Sequence, residues 1–354
     1  MVKLTDVAEI KYGCAFDSKS FTDDDSYPQL VRIRDVKRGF SETFYKGEYS
    51  RDYVLSAGDL LVGMDGEFNI ARWKVDGALL NQRVCKIVAR PGTYEEYLRF
   101  ILGKVLKEIE GMTSFATVKH LSAKELNKLE LDMPKYEEQV HRSSVLLKVE
   151  DIIDKRRLQL DNLDELVRAR FVEMFGDPII NSKRLDTNIL KDVFILKAGD
   201  FTAASDIAVE QSETNSYPCY GGNGIRGYVA EYNQEGEYSI VGRQGALSGN
   251  VQFASGKFKN TEHALLVIPI VEMNNTWINH LLLNLDLKRY QTGAAQPGLS
   301  VKNLQEIQII SVPIDKQNQF ADFVHQVNKS KVEVKKALDK AQLLFDSLMQ
   351  KYFG

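Results

Sequence analysis

The 354-residue chain carries 46 basic and 49 acidic residues, a net charge of −3, and is 44% hydrophobic. That length exceeds one ordinary domain, and the apolar content is enough for two sizeable cores. The slightly acidic balance excludes a global basic field, so any nucleic-acid binding must rest on local patches or on a basic partner.

In chain order, Val31-Arg32-Ile33-Arg34-Asp35-Val36 alternates apolar and polar residues, which predicts a strand with one face buried. Ser56 to Asp59 predicts a turn, Leu60-Leu61-Val62 a short buried strand, and Gly63-Met64-Asp65-Gly66 a loop. Val84 to Val88 reads as a further strand, and Glu95 to Ile109 has helical spacing. Ser122, with Glu125 three residues on, has the form of a capping box. A strand at Leu129 to Met133 runs into Pro134, where a long helical stretch begins.

Residues 139–176 contain no Gly or Pro before Gly176. Leu146, Ile153, Leu160, Val167 and Met174 recur every seventh residue, with Val149 and Leu163 interleaved. From Asn318 to Gly354, the residues Val324, Val327, Val334, Leu338, Ala341, Phe345, Leu348 and Tyr352 step by threes and fours. Each stretch predicts a long helix that packs lengthwise on a partner. Leu160-Asp161 matches Leu338-Asp339, and Phe175-Gly176 matches Phe353-Gly354, both 178 positions apart.

The globular stretches repeat as well. Leu4-Thr5-Asp6-Val7 with Gly13 matches Leu190-Lys191-Asp192-Val193 with Gly199, and Tyr27-Pro28 matches Tyr217-Pro218. Leu61 to Gly66 matches Ile240 to Gly245, Asn81 matches Asn260, and Leu121-Ser122 with Leu126 matches Leu299-Ser300 with Leu304. Pro134 is paired with Pro313. The chain therefore reads as an internal duplication: globule 1–134, helix 135–176, globule 177–313, helix 314–354.

This order resembles the specificity subunit of type I restriction-modification enzymes. The features that carry the resemblance are the D-V-x-x-x-x-x-G openings (Asp6 to Gly13, Asp192 to Gly199), the GDLLVG segment at Gly58 to Gly63, the L-S-x-x-x-L segments, and the Phe-Gly helix ends. The junction Lys135 to Gln139 is close to the family's P-x-x-E-Q, while Ile314 to Asn318 is a degraded copy. The resemblance implies an α/β (α+β) chain with two mixed α/β target-recognition domains. These would be separated by two conserved helical regions packed as an antiparallel coiled coil about a pseudo-two-fold axis. It implies a non-catalytic reader of a bipartite, asymmetric site on double-stranded DNA, docked with methyltransferase subunits and joined by restriction subunits. On that reading no cofactor belongs to this chain, and S-adenosylmethionine and ATP with magnesium belong to the partner subunits. A helix of about 38 residues spans roughly 57 Å, enough to hold two readers on half-sites about one DNA turn, or 34 Å, apart.

No catalytic constellation is expected. The chain has no Pro-Pro, and so lacks the N/D-P-P-Y/F pocket of base methylation. His120, His263 and His325 lie in no Cys/His cluster, so no metal site is expected. Gly222-x-Gly224-x-x-Gly227 fits the dinucleotide fingerprint, but predicted strands flank it where the fingerprint requires a following helix; a glycine-rich β-turn is expected. Cys14, Cys85 and Cys219 read as buried, reduced thiols. With no apolar run of eighteen residues and no signal-peptide pattern, a cytoplasmic protein is expected.

DNA-reading side chains are long, polar and borne on loops: Arg and Lys suit guanine edges or phosphates, Asn and Gln suit adenine. The candidates in the first globule are Asn69, Arg72, Gln82, Arg83, Lys119 and His120, and in the second Arg226, Arg243, Gln244, Asn250 and Gln296. Arg32 and Arg34 on one strand face read as either a solvated face or a phosphate patch. Arg156 and Arg170 on the first helix read as stems that cover apolar surface. A modification-only reader, a protein-binding scaffold and, least favoured, an enzyme remain as alternative functions.

Overall fold

The computed structural model describes residues 1–112, 120–245, 247–293 and 298–354. The chain forms two compact units, Met1–Lys155 with Ala337–Gly354, and Arg156–Lys336. Each unit thus holds one globule with the adjoining parts of both long helices.

The first globule contains β1 (Val2–Lys3), α1 (Leu4–Val7), β2 (Ala8–Tyr12), β3 (Phe21–Thr22), β4 (Leu30–Val31), β5 (Phe44–Tyr45), β6 (Leu60–Gly63), β7 (Ile70–Arg72), β8 (Leu79–Leu80) and β9 (Val84–Ala89). Then come α2 (Glu95–Met112), α3 (Ala123–Leu126), β10 (Glu130–Leu131) and the long helix α4 (Tyr136–Phe175). Its main sheet has the order β2-β9-β6-β7, and β1 pairs with β10. One core lies between this sheet and α2, built on Leu60, Val62, Ile87, Tyr97, Ile101 and Leu102.

The second globule contains β11 (Thr187–Ile189), α5 (Leu190–Val193), β12 (Phe194–Ala198), β13 (Tyr217–Gly221), β14 (Gly224–Val229), β15 (Gln234–Gly242), β16 (Val251–Asn260) and β17 (Ala264–Pro269). It ends with α6 (Asn275–Asn284), α7 (Val301–Gln305), β18 (Gln308–Ile310) and α8 (Ile314–Phe353). The sheet order is β12-β17-β15-β16-β13-β14, so its first four strands repeat the first globule's order and a hairpin is added. Gly222 and Asn223 connect the two strands of that hairpin, so the glycine motif is a β-turn, as its flanking strands imply.

Matching hydrogen bonds explain the repeated motifs. Leu4 N–H donates to Leu129 O at 2.8 Å and Leu190 N–H to Ile307 O at 2.9 Å, each with its leucine side chain fully buried. Arg90 N–H donates to Val7 O and Ile270 N–H to Val193 O, tying the D-V turn to the sheet's end. Leu121 and Leu126 are buried around a true capping box at Ser122 and Glu125, whereas Ser300 makes no such side-chain bond.

In the first unit, the start of α4 packs antiparallel on the end of α8 through Val149, Ile153, Leu338, Ala341 and Phe345. In the second unit, the end of α4 packs on the start of α8 through Val167, Phe171, Phe320, Val324 and Val327. Both Phe-Gly ends plug a globular core: Phe353 lies 5.1 Å from the Tyr97 ring and Phe175 lies 6.2 Å from Trp277. Arg142 Nη1 donates to Tyr352 O at 2.7 Å, and Lys104 Nζ to Phe353 O, placing cations on the free carbonyls of a helix C-terminus. Arg170 lays its guanidinium 5.6 Å over the Phe323 ring, as its seam position suggests.

Two sequence expectations need correction. The strand predicted over 31–36 stops at Val31, and Ile33–Asp35 turn into a short 3-10 helix. The buried Asp35 carboxylate accepts the Arg32 N–H at 3.1 Å and the Ser41 hydroxyl at 2.9 Å, and this local capture competes with a strand ladder. Arg32 and Arg34 therefore do not share a strand face; both are exposed, and Arg34 Nε stands 3.9 Å from Asp35.

The second correction is the helix junction. Buried Gln139 accepts the Tyr94 N–H at 2.8 Å and donates to Pro134 O at 2.8 Å. Gln317 accepts the Asn274 N–H at 2.9 Å and donates to Val312 O at 2.7 Å. The second copy is thus intact where it matters, and Val312, not Pro313, stands in the place of Pro134. Replacing Gln139 or Gln317 with alanine strands one buried donor and one acceptor; each variant is expected to lose about 1–3 kcal/mol in urea unfolding.

Candidate nucleic-acid interface

At the ends of the central strands, three loops meet in each unit on the same backbone frame. In the first unit, Met64 N–H donates to Arg83 O at 2.8 Å, Leu121 N–H donates to Met64 O at 2.7 Å, and Asp65 bridges His120. In the second, Arg243 N–H donates to His263 O at 3.1 Å, Leu299 N–H donates to Arg243 O at 2.8 Å, and Gln244 bridges Gly298. Met64 is thereby equivalent to Arg243, Asp65 to Gln244, Arg83 to His263, and His120 to Gly298. The second unit has one residue more between Asn260 and β17, which constant offsets in the sequence do not reveal.

The side chains on this shared frame differ. In the first unit, His120 Nδ1–H donates to Asp65 Oδ1, because an ionised carboxylate only accepts. Arg83 Nε lies 3.4 Å from the other Asp65 oxygen, and Arg83 Nη1 lies 3.2 and 3.3 Å from the two His120 nitrogens. Half of the Arg83 side chain remains exposed (51%). Gln82 projects beside it, its own N–H held by Cys14 O at 2.7 Å and Asn81 Oδ1 at 2.9 Å.

In the second unit, His263 Nε2 pairs with Glu262 Oε1 at 3.1 Å, and Asn250 Nδ2 donates to Asn223 Oδ1 at 2.6 Å, next to the hairpin turn. Gln244 is exposed. Arg243 Nε, Glu262 Oε2 and His263 Nδ1 are buried, with no hydrogen-bond partner among the described residues. Buried polar atoms left unpaired are costly in folded proteins, so this loop frame keeps hydrogen-bonding capacity that its own fold does not use.

Other candidates lie off the frame. Arg72 is consumed inside the first unit: it meets Glu95 at 2.7 Å, Glu96 at 2.6 Å and Gly58 O at 2.6 Å, fastening β7 to the start of α2. From there the chain of charges continues through Arg99 to Glu150 of α4, at 2.6 Å. Asn69 lines a groove between α2 and the end of α8, with Phe68, Ile70, Phe100 and Met349. Arg226 is exposed on β14 of the added hairpin, packed against Gly221. Lys119 and Gln296 lie outside the described residues.

Selecting only cations and amides overlooks Asp65, Glu262 and His263. The available signal was an acid within two residues of a glycine in a loop whose duplicate carries Gln244; carboxylates can accept from the cytosine amino group in the major groove. The cysteines take no part; Cys85 and Cys219 are buried as expected, whereas Cys14 is only partly buried. Burial pushes the Cys85 thiol up to about 12, and Cys219 is raised for the same reason. Among the described residues no helix is long and apolar enough to cross a membrane.

Comparison with known proteins agrees with the duplication. A family model described as the type I restriction modification DNA specificity domain matches residues 1–162 and again 185–343. The EcoprrI specificity subunit of Escherichia coli is 41% identical over 143 residues, 40% of this chain and 35% of that one. The EcoBI specificity subunit of Escherichia coli is 35% identical over 168 residues, 47% of this chain and 35% of that one. The matched part therefore spans about a third of the length of these relatives. The S subunit of a type I restriction-modification system from M. genitalium shares the fold, with a TM-score of 0.60 at 16% identity over 99% of this chain and 95% of that one. A chain from the structural study of type I R-M complex assembly and conformational transition gives 0.55 at 15% identity over 99% and 96%. Matched twice, once on each globule with part of its helix, the chain belongs to the family of type I restriction modification DNA specificity domains.

Proposed function

We propose that this chain is the sequence-reading, non-catalytic subunit of a type I restriction-modification assembly. Each unit reads one half of a bipartite site on double-stranded DNA. The single observation that carries this reading is the shared loop frame: one backbone geometry presents Asp65, Arg83 and His120 in one unit and Arg243, Gln244 and His263 in the other. A frame kept while its polar side chains change is what two readers of unlike sequences require, because specificity resides in base-edge contacts and not in the scaffold. The half-sites are therefore unlike, and the full site is not a palindrome.

Methyltransferase subunits supply S-adenosylmethionine chemistry, and restriction subunits supply ATP- and magnesium-dependent cleavage. The net charge of −3 gives the isolated chain little of the electrostatic term that dominates DNA affinity. The isolated chain is expected to bind DNA weakly, and the complex with methyltransferase subunits to bind at least tenfold more tightly at the same salt. Gel-shift titration at fixed ionic strength measures the difference; equal affinities would contradict the reading.

A further inference from the structure

We infer that Arg83 is the guanine-reading residue of the first unit, aimed by Asp65 and His120. The inference rests on the proposed DNA-reading function and identifies a contact within it. Three observations support it. First, the Arg83 backbone has φ +68°, and it is the sole non-glycine residue of the first unit with positive φ among the described residues. A bulky side chain rarely adopts that conformation, and glycine, which adopts it freely, would be the ordinary occupant. Residues held in such a conformation persist only where the surrounding structure fixes them, and they cluster at binding and active sites.

Second, the guanidinium is directed but not consumed. Asp65 stands 3.4 Å from Nε and the His120 ring lies beside Nη1, while Nη2 carries no partner among the described residues and half of the side chain faces solvent. Arg72, by contrast, spends Nε and both terminal nitrogens on internal acceptors. Third, the neighbours match the task. A planar guanidinium offers paired N–H groups to guanine O6 and N7, the commonest specific contact in the major groove, and a fixed plane makes that pair selective. Asp65 is thereby a positioning residue: it orients both His120 and Arg83 from a site only 24% exposed.

The test compares three complexes that carry the full chain with its methyltransferase subunits: wild type, Arg83→Gly and Arg83→Lys. Single-molecule sequencing of host DNA gives the methylated motif of each. Both variants are expected to lose discrimination at one G·C pair in one half-site, by about 10- to 100-fold, the range of one bidentate pair. The remaining positions and the other half-site stay unchanged. Arg83→Gly is also expected to melt at the same or a higher temperature, because it relieves the positive φ, whereas a purely structural arginine would leave a less stable chain. An unchanged motif in Arg83→Lys overturns the inference. So does relaxation at an A·T pair, or a uniform loss of methylation with no relaxed position, which would make Arg83 a phosphate contact. A wild-type complex that methylates no two-part motif removes the DNA-reading function itself, and the inference with it.

Discussion

Alanine at Gly13 or Gly199 is expected to destabilise its unit by roughly 3 kcal/mol or more, at or beyond the upper end for overpacked sites. A Cβ on Gly13 would lie 2.1 Å from Asn81 O and 2.7 Å from Leu80 O. On Gly199 it would lie 1.9 Å from Asn260 O. These neighbours are backbone atoms, and the same backbone is tied by Gly13 N–H to Val84 O at 3.0 Å and by Gly199 N–H to Thr261 O at 3.2 Å. Neither strand can move aside without breaking the ladder that also positions Arg83 and His263. Gly58 provides the control: it has positive φ but nothing within 4 Å of its Cβ, so its alanine variant carries only the conformational cost of about 1–2 kcal/mol. Urea unfolding of the three variants ranks them.

The glycine that closes the D-V-x-x-x-x-x-G motif was therefore legible as a position but not as a cause. Sequence spacing reveals that Gly13 and Gly199 correspond; only the fold shows that each must let a neighbouring strand pass within backbone contact. The long helices were legible for a plainer reason, since a seven-residue apolar repeat is local. Even so, the predicted seam is only part of the contact: Leu146, Val149, Ile153 and Val167 are buried as expected, but other positions are not. Leu160 and Leu163 are only partly buried, while Phe171 and Phe320, absent from the predicted seam, are fully buried with ring centroids 5.4 Å apart. The seam is set jointly by helix and globule, and the globule's share is invisible to periodicity.

The interface was the least legible part. Arg83 and His120 are 37 positions apart, and Asp65 and His120 are 55 apart; nothing local reports that they meet. Arg72 has the residue type and loop neighbourhood of a DNA contact, yet two acids of α2 claim it. The alternation at 31–36 failed because Asp35 found a nearer partner in the Arg32 backbone than any neighbouring strand could offer.

Exchanging residues 1–134 for the first recognition domain of another family member is expected to replace one half-site completely and leave the other intact. The boundary lies one residue before the Lys135 carbonyl that receives the Gln139 N–H, so the helix start and Gln139 are retained. The incoming domain supplies the two backbone groups, equivalent to Tyr94 N–H and Pro134 O, that Gln139 bonds. Cores of the two globules are built from separate sets of residues, which lets one change without repacking the other.

The measurement that bears most directly on the central claim is the methylome of cells carrying the wild-type complex, set beside that of cells carrying this exchange. Single-molecule sequencing is expected to show one two-part motif with unlike halves around an unread gap for the wild type, and for the exchange the same motif with one half rewritten. A continuous or palindromic wild-type motif, or an exchange that alters both halves, would contradict the account of two independent readers on a common frame.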